Sequence, residues 1–287
     1  MALLGEGIAR LEASGLLSAR HDAERLLASL LGTTRMALYF DRGRQVDPET
    51  AERYQALLER RARHEPLQYL LPEDEFCGLS LRVRPGVFIP RPETELLVER
   101  VLASLGPVAD TERLGVDLGT GTGCVALALL NARADLRMVA VDRSAEAVAL
   151  ARENAERVGL AQRMEIREGD LWEPVEDLRG RLDLVVSNPP YIARELLEEL
   201  PGEVIEYEPV LALDGGPGGT MLHERILKEA PSFLKPGGLL AMELGLGQAE
   251  RLTAAMKEEG AFVDVATVRD LLGIERVLTA RKAIRGS

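Results

Sequence analysis

Apolar residues near the start of the chain recur at helical spacing. Ala23, Leu26, Leu27, Leu30 and Leu31 fall on one face of a helix. Asp47-Pro48-Glu49 has the form of a helix start, with a polar cap, proline in the first turn and an early acid, and predicts a second helix to about Arg63. Residues 75–90 change character: Phe76, Leu79, Leu81, Val83, Val87 and Ile89 surround Gly78 and Pro85-Gly86, as in a short β-hairpin. From about 111 onward short apolar strands alternate with helices. GVDLG precedes a helix from Cys124, MVAVD precedes a helix over 144–157, and MEIREGD, LDLVVSNPP and LLAMELG follow. That rhythm predicts a doubly wound α/β sheet, and AFVDVATV with RVLTARK adds an antiparallel edge, giving a mixed seven-stranded sheet. The expected domains are a helical one over 1–74, a connecting β-hairpin over 75–90 and a sheet domain over 91–287.

Composition narrows the choice of ligand. The 287 residues are 46% hydrophobic, which supports a sizeable core, and 47 acids against 35 Lys and Arg give a formal charge of −12. Phosphate binding is chiefly a cationic effect, so a bare nucleic acid is disfavoured as the main ligand. Cys77 and Cys124 lie in unlike contexts without metal-ligand spacing, which points to a reducing compartment and no metal. No apolar stretch approaches the roughly 18 residues that span a bilayer. A cytoplasmic protein is expected, with no membrane partner.

The segment Asp117-Leu118-Gly119-Thr120-Gly121-Thr122-Gly123 follows a strand and opens a helix, so its glycines allow a tight turn and close approach of a ligand to the backbone. It lacks the Gly-Lys-Ser/Thr of a P-loop, and Cys124 stands where the dinucleotide pattern needs its third glycine, which argues against pyrophosphate. Asp142, ending the next strand, is placed to accept both ribose hydroxyls of an adenosine cofactor. Asp170 ends the third strand and is expected to meet the base's amino group while Leu171 packs on the base. The glycine loop with Asp142 resembles the S-adenosyl-L-methionine site of Rossmann-like methyltransferases. That resemblance implies that Asp117, Gly119, Thr120, Gly121, Thr122 and Gly123 line the methionine portion.

Asn188-Pro189-Pro190-Tyr191 follows the fourth strand. The prolines fix φ and donate no hydrogen bond, so the Asn188 oxygen and the Pro189 carbonyl can each accept one N–H of a planar NH2 group while Tyr191 covers it. Positioning matters because such a nitrogen is a poor nucleophile. The tetrapeptide resembles the motif of amino-directed methyltransferases, those acting on adenine N6 and those acting on protein glutamine. No GxSxG elbow accompanies it, and His21, His64 and His223 have no suggestive partners.

Two prolines bracket Arg91 in VFIPRPETE, so that Arg91, Glu93 or Thr94 can be presented to a ligand at a helix start. With HEPLQYL, FCGL, the glycine loop, NPPY, Glu208-Pro209, GGLLAMELG and DLLGIERV, nearly the whole chain resembles the peptide chain release factor glutamine methyltransferases. The resemblance implies transfer of a methyl group to N5 of the glutamine in the Gly-Gly-Gln motif of bacterial class I release factors, a step tied to translation termination. Asn188, Pro189, Pro190 and Tyr191 would receive that glutamine, Asn188 also facing the cofactor. Phe88, Pro90, Arg91 and Glu93 would border cofactor and peptide, and the helical domain would grip the factor. A monomer is expected.

An adenine-N6 methyltransferase acting on DNA or RNA is the rival reading, since an extruded base presents the same amine geometry. Glu195, Glu198, Glu199, Glu203, Glu206 and Glu208, with no Lys or Arg among 195–208, make a poor lining for phosphates and argue against a direct nucleic acid substrate. A cofactor-binding regulator would keep the glycine loop but has no need of NPPY.

Overall fold

The computed structural model describes residues 2–40 and 45–284, so the outer ends of the expected domains, at 1 and 287, lie outside the described residues. Two compact units emerge. The helical unit comprises Met1–Asp74 with Val83–Pro85 and Pro201–Tyr207. Its helices are α1 (Ala2–Ala13), α2 (Ala19–Leu30), α3 (Ala37–Phe40), α4 (Pro48–Ala62) and α5 (Leu67–Leu70). Asp47 caps α4 as the sequence predicts, accepting the Thr50 N–H at 2.9 Å. Leu11, Ala23, Leu26 and Leu58 fill the core, and the buried Tyr54 hydroxyl donates to the Ala23 carbonyl at 3.1 Å. Arg61 makes a buried ion pair with Asp22 at 2.8 Å and also donates to the Glu65 carbonyl, so its charge is not left unpaired.

The second unit holds Glu75–Arg82, Gly86–Leu200 and Glu208–Ser287. The strand pairing predicted over 75–90 is confined to β1 (Asp74–Phe76) and β2 (Leu79–Leu81). Pro85 has no N–H to give a ladder and Gly86 turns the chain with φ 87°, so the residues that follow run on without a partner strand.

The sheet unit continues with α6 (Pro92–Leu105), β3 (Arg113–Leu118), α7 (Cys124–Ala132), β4 (Leu136–Asp142), α8 (Ala145–Arg157), β5 (Met164–Glu168) and β6 (Leu182–Ser187). The short α9 (Gly202–Tyr207) belongs to the helical unit, and its Tyr207 hydroxyl donates to the Arg63 carbonyl at 3.2 Å. Then come α10 (Met221–Phe233), β7 (Leu234–Glu243), α11 (Ala249–Glu259), β8 (Phe262–Arg269) and β9 (Glu275–Lys282). The strand order is β5-β4-β3-β6-β7-β9-β8, parallel except for β9. The mixed seven-stranded sheet and its antiparallel edge are as the sequence predicts.

Alternation along the inner strands sends side chains to both faces. Met138, Ala140, Leu184 and Val186 pack with α6 and α7, while Val139, Val141, Val185 and Leu240 pack with α10 and α11. Burial on both sides is why these strands read as unbroken apolar runs. Strand order reverses between β3 and β6, where Leu118 lies beside Ser187. Loops leaving these strands diverge to opposite sides, and a ligand crevice belongs at that point.

Candidate functional site

The glycine loop leaves β3 on two hydrogen bonds, the Gly119 and Thr120 N–H groups both donating to the Val141 carbonyl at 2.8 and 2.9 Å. Gly119 and Gly121 have φ of 75° and 56°, and a Cβ on either would meet nothing within 4 Å, so space opens over the loop. Gly123 serves packing instead: its φ is 82°, and a Cβ would lie 3.2 Å from Met164 Cε and 3.3 Å from Ala151 Cβ. Asp117 is buried and accepts the Thr120 hydroxyl at 2.7 Å. Burial pushes its carboxyl up to about 7, against the hydrogen bonds from Thr120 and the Ala126 amide.

Asp142 closes β4 with each oxygen engaged, Oδ2 by the Gly121 N–H at 2.8 Å and Oδ1 by the Ser144 N–H at 2.9 Å. Burial nevertheless raises its pKa. Each oxygen retains a lone pair for a hydroxyl donor. The Gly169 N–H donates to the Asp142 carbonyl at 2.9 Å, which brings the next loop alongside. Asp170 does not end β5 as the sequence suggests: the strand stops at Glu168 ahead of Gly169, and Asp170 lies two residues past it, paired with Arg225 at 2.7 Å, a commitment the sequence did not reveal. Leu171 is buried with φ 51°.

At the second strand of the crevice, the Ser187 hydroxyl donates to the Leu118 carbonyl at 2.6 Å and locks the two strand ends together. Asn188 is half-buried, and its Nδ2 donates to Thr94 Oγ1, 3.1 Å away on the first turn of α6. The Tyr191 hydroxyl donates to Glu243 Oε1 at 3.3 Å. Gln248 Nε2 holds the carbonyls of Tyr191 and Gly219 at 2.8 and 3.1 Å, fixing the loop beyond Pro189 and Pro190. Phe88 and Pro90 are partly exposed and Glu93 is exposed. Arg91 lies over the Phe88 ring at 5.0 Å and pairs with buried Glu208, which also accepts the Ile89 N–H at 3.3 Å.

Three residues of this arrangement escaped the sequence reading as site elements. Asn154, fully buried on α8, binds both backbone groups of Arg82 and donates to the Thr122 carbonyl at 3.0 Å, bracing the glycine loop. Nothing local distinguishes it from a solvated helix residue. Gln248 is equally silent. Glu243 was legible: an acid inside the apolar run LLAMELG is a buried charge in want of a reason. Burial pushes it up to about 7, with Thr94, Tyr191 and Arg276 acting downward and Glu93 upward. His223 Nε2–H donates to the Glu243 carbonyl, 2.8 Å away, and burial lowers its pKa to about 4, consistent with a packing residue.

The crevice at the β3/β6 switch point, with a glycine loop on one side and NPPY on the other, defines a Rossmann-like methyltransferase. Residues 79–203 match the methyltransferase small domain family, and residues 2–71 match the PrmC N-terminal domain. A release factor glutamine methyltransferase of Geobacter sulfurreducens is 44% identical over 93% of this chain and 91% of its own length. One of Moorella thermoacetica is 39% identical over 96% of each. The chain therefore belongs to the release factor glutamine methyltransferase family. Among solved structures, the Thermus thermophilus 16S rRNA N2 G1207 methyltransferase, in complex with AdoMet and guanosine, shares the fold. Its TM-score is 0.53 at 23% identity, over 73% of this chain and 49% of that one.

Proposed function

We propose that this protein transfers a methyl group from S-adenosylmethionine to the side-chain amide N5 of the glutamine in the Gly-Gly-Gln motif of bacterial class I release factors. The observation that carries the reading is the Asn188-Pro189-Pro190-Tyr191 turn facing the crevice at the same switch point as the glycine loop. Its family relatives, named for glutamine methylation of release factors and matched along nearly their full length, supply the substrate. When bound, S-adenosylmethionine supplies an electrophilic methyl on a sulfonium, whose transfer to nitrogen breaks the C–S bond and leaves the electron pair on sulfur.

The residues fit that cofactor. Open space over Gly119 and Gly121 suits close passage of its methionine portion past Asp117, Thr120, Thr122 and Gly123. The free lone pairs of Asp142 suit ribose hydroxyls. Leu171 would pack on the base, and Asp170, whose Oδ2 is held by Arg225, would accept from the base's amino group. Phe88, Pro90 and Asn188 border the donor, and Arg91 and Glu93 border the peptide.

Asn188, Pro189 and Tyr191 carry the chemistry by positioning. Asn188 Oδ1 and the Pro189 carbonyl each accept one amide N–H, and Pro190 makes the turn rigid while Tyr191 packs over the planar group. Once alkylated, the nitrogen loses a proton to water, so no strong base is required. The domain over 1–74 grips the factor, and the hairpin segment over 75–90 connects it to the catalytic domain over 91–287. The enzyme works as a monomer in the cytoplasm; among the described residues no helix is long and apolar enough to cross a membrane.

The nucleic acid alternative is weakened by exposed Glu195, Glu198, Glu199 and Glu206. Glu203 and Glu208 leave that argument, because they are paired with Arg61 and Arg91. Labelled methyl transfer decides the matter. Label is expected on an intact release factor and absent from its motif Gln→Ala variant and from adenine-containing DNA and RNA; label on nucleic acid alone overturns the assignment.

A further inference from the structure

Asn188 has two chemically opposite ends, and only one suits an NH2 acceptor. With Oδ1 toward the crevice it accepts an N–H; with Nδ2 there it repels one. Thr94 touches the other end, but a hydroxyl both donates and accepts, so Thr94 alone does not choose between them. The choice is made one step further back. Thr94 and Glu243 are each only 1% exposed, and Thr94 is among the groups whose hydrogen bonding acts to lower the pKa of the Glu243 carboxyl.

We propose that Glu243 is a positioning residue which, acting through Thr94, fixes the Asn188 amide with its oxygen toward the substrate. As a carboxylate Glu243 only accepts, so it takes the Thr94 O–H. Thr94 Oγ1 is then left with lone pairs alone, and Asn188 must present Nδ2 to it, as it does at 3.1 Å. Burial supplies the driving force: Glu243 Oε2 has no hydrogen-bond partner among the described residues, and a Thr94 O–H turned onto it would satisfy both groups. Tyr191 donates to the other oxygen, Oε1, so the same carboxylate holds the hydroxyl of the residue that covers the acceptor group. Protonation reverses the relay. A neutral Glu243 can donate to Thr94, which frees the Thr94 hydroxyl to donate to Asn188 Oδ1 and turns the wrong end outward.

The groups facing Glu243 are Thr94 and Glu93 from α6, Cys124 from α7, whose thiol burial keeps protonated, Tyr191 from the NPPY turn, Arg276 from β9 and His223 from α10 at its backbone carbonyl. His223, with its pKa near 4, stays neutral around pH 7 and does not share the titration. The inference rests on the reading that Asn188 receives the substrate amide, and the test separates the two.

Methyl transfer to a release factor is measured at saturating cofactor for the wild type, N188A, T94V, T94S and E243Q, with cofactor affinity measured alongside. T94V is expected to lower kcat about tenfold or more, the worth of one misdirected hydrogen bond, at unchanged cofactor affinity, and T94S to restore it. The wild-type kcat rises with pH through about 7 as Glu243 ionises, and E243Q removes that limb. If T94V turns over like the wild type, or E243Q keeps the limb, while N188A is impaired, the relay is wrong and the site reading stands. If N188A turns over normally, the site reading itself fails.

Discussion

The Gly121 amide donates to Asp142 Oδ2 at 2.8 Å, so the carboxylate that closes β4 also supports the loop that leaves β3. In the proposed function, cofactor contact and loop shape are thereby coupled through one side chain. D142A removes two acceptors for ribose hydroxyls as well as the loop support, and hydrogen bonds to a charged group contribute about 1.5–3 kcal/mol each. The variant is expected to bind S-adenosylmethionine at least about 30-fold more weakly in calorimetric titration. D142N, which keeps one acceptor oxygen, should fall between it and the wild type. Unchanged affinity in D142A would remove the ribose role.

The three loop glycines are alike in sequence and differ in what an added methyl meets. G121A and G123A both place a side chain in the left-handed region, at a cost of about 1–2 kcal/mol. G123A additionally presses on Met164 and Ala151, so it is expected to show the larger loss of thermal stability. G121A puts its methyl into the open space above the loop and is expected to lose cofactor affinity beyond its loss of stability. Melting curves with and without S-adenosylmethionine check both, and equal ligand-induced shifts in the two variants would contradict the division.

Legibility followed the range of the interaction. The start of α7 at Cys124 was readable because a glycine run after an apolar strand has few local solutions, and β6 with NPPY because the apolar run ends on a rigid turn. The glycine loop, Asp142 and Asn188 are each set by their own strand, so one motif was enough to place them at the crevice. The Asn188 to Thr94 bond spans 94 residues and the Glu208 to Arg91 pair spans 117, and neither partner carries a mark of the other. The same is true of Asn154 in the polar-looking helix ARENAER and of α9 joining the helical unit. Single polar contacts between distant segments arise from the packing, which periodicity does not encode.

Glu208 is the anchor of the segment that leads into α6. It receives the Ile89 N–H and pairs with Arg91 while almost wholly buried. Removing its carboxylate leaves the Ile89 donor unpaired and the partly exposed Arg91 without its partner, a loss of about 1–3 kcal/mol. E208A is expected to lower the denaturation midpoint in urea strongly, and E208Q, which keeps an acceptor for Ile89, to lower it less. If E208A unfolds at the wild-type midpoint, the pair does not anchor this segment.

Stability should fall as pH rises across the neutral range, the reverse of the usual carboxylate behaviour. Asp117 and Glu243 have folded-state pKa values raised by burial to about 7, against 3.8 and 4.5 in the exposed chain. Between those limits the folded protein holds two protons that the unfolded chain has released, so the unfolded state gains as pH rises. The contribution is fully present below pH 4 and lost as pH passes 7, at a slope of up to about 1.4 kcal/mol per pH unit for each group. Asp135 acts oppositely at the acid end: its pairing with Arg133 at 2.8 Å lowers its pKa, and that stabilisation disappears only in strong acid. Buried His223, its pKa lowered from 6.5 to about 4, acts in the opposite direction below about pH 6.5, so urea denaturation of the cofactor-free protein between pH 6.5 and 8 is expected to show a declining free energy of unfolding. The slope should halve in D117N and flatten in D117N combined with E243Q; a wild-type slope in the double variant would place the bound protons elsewhere.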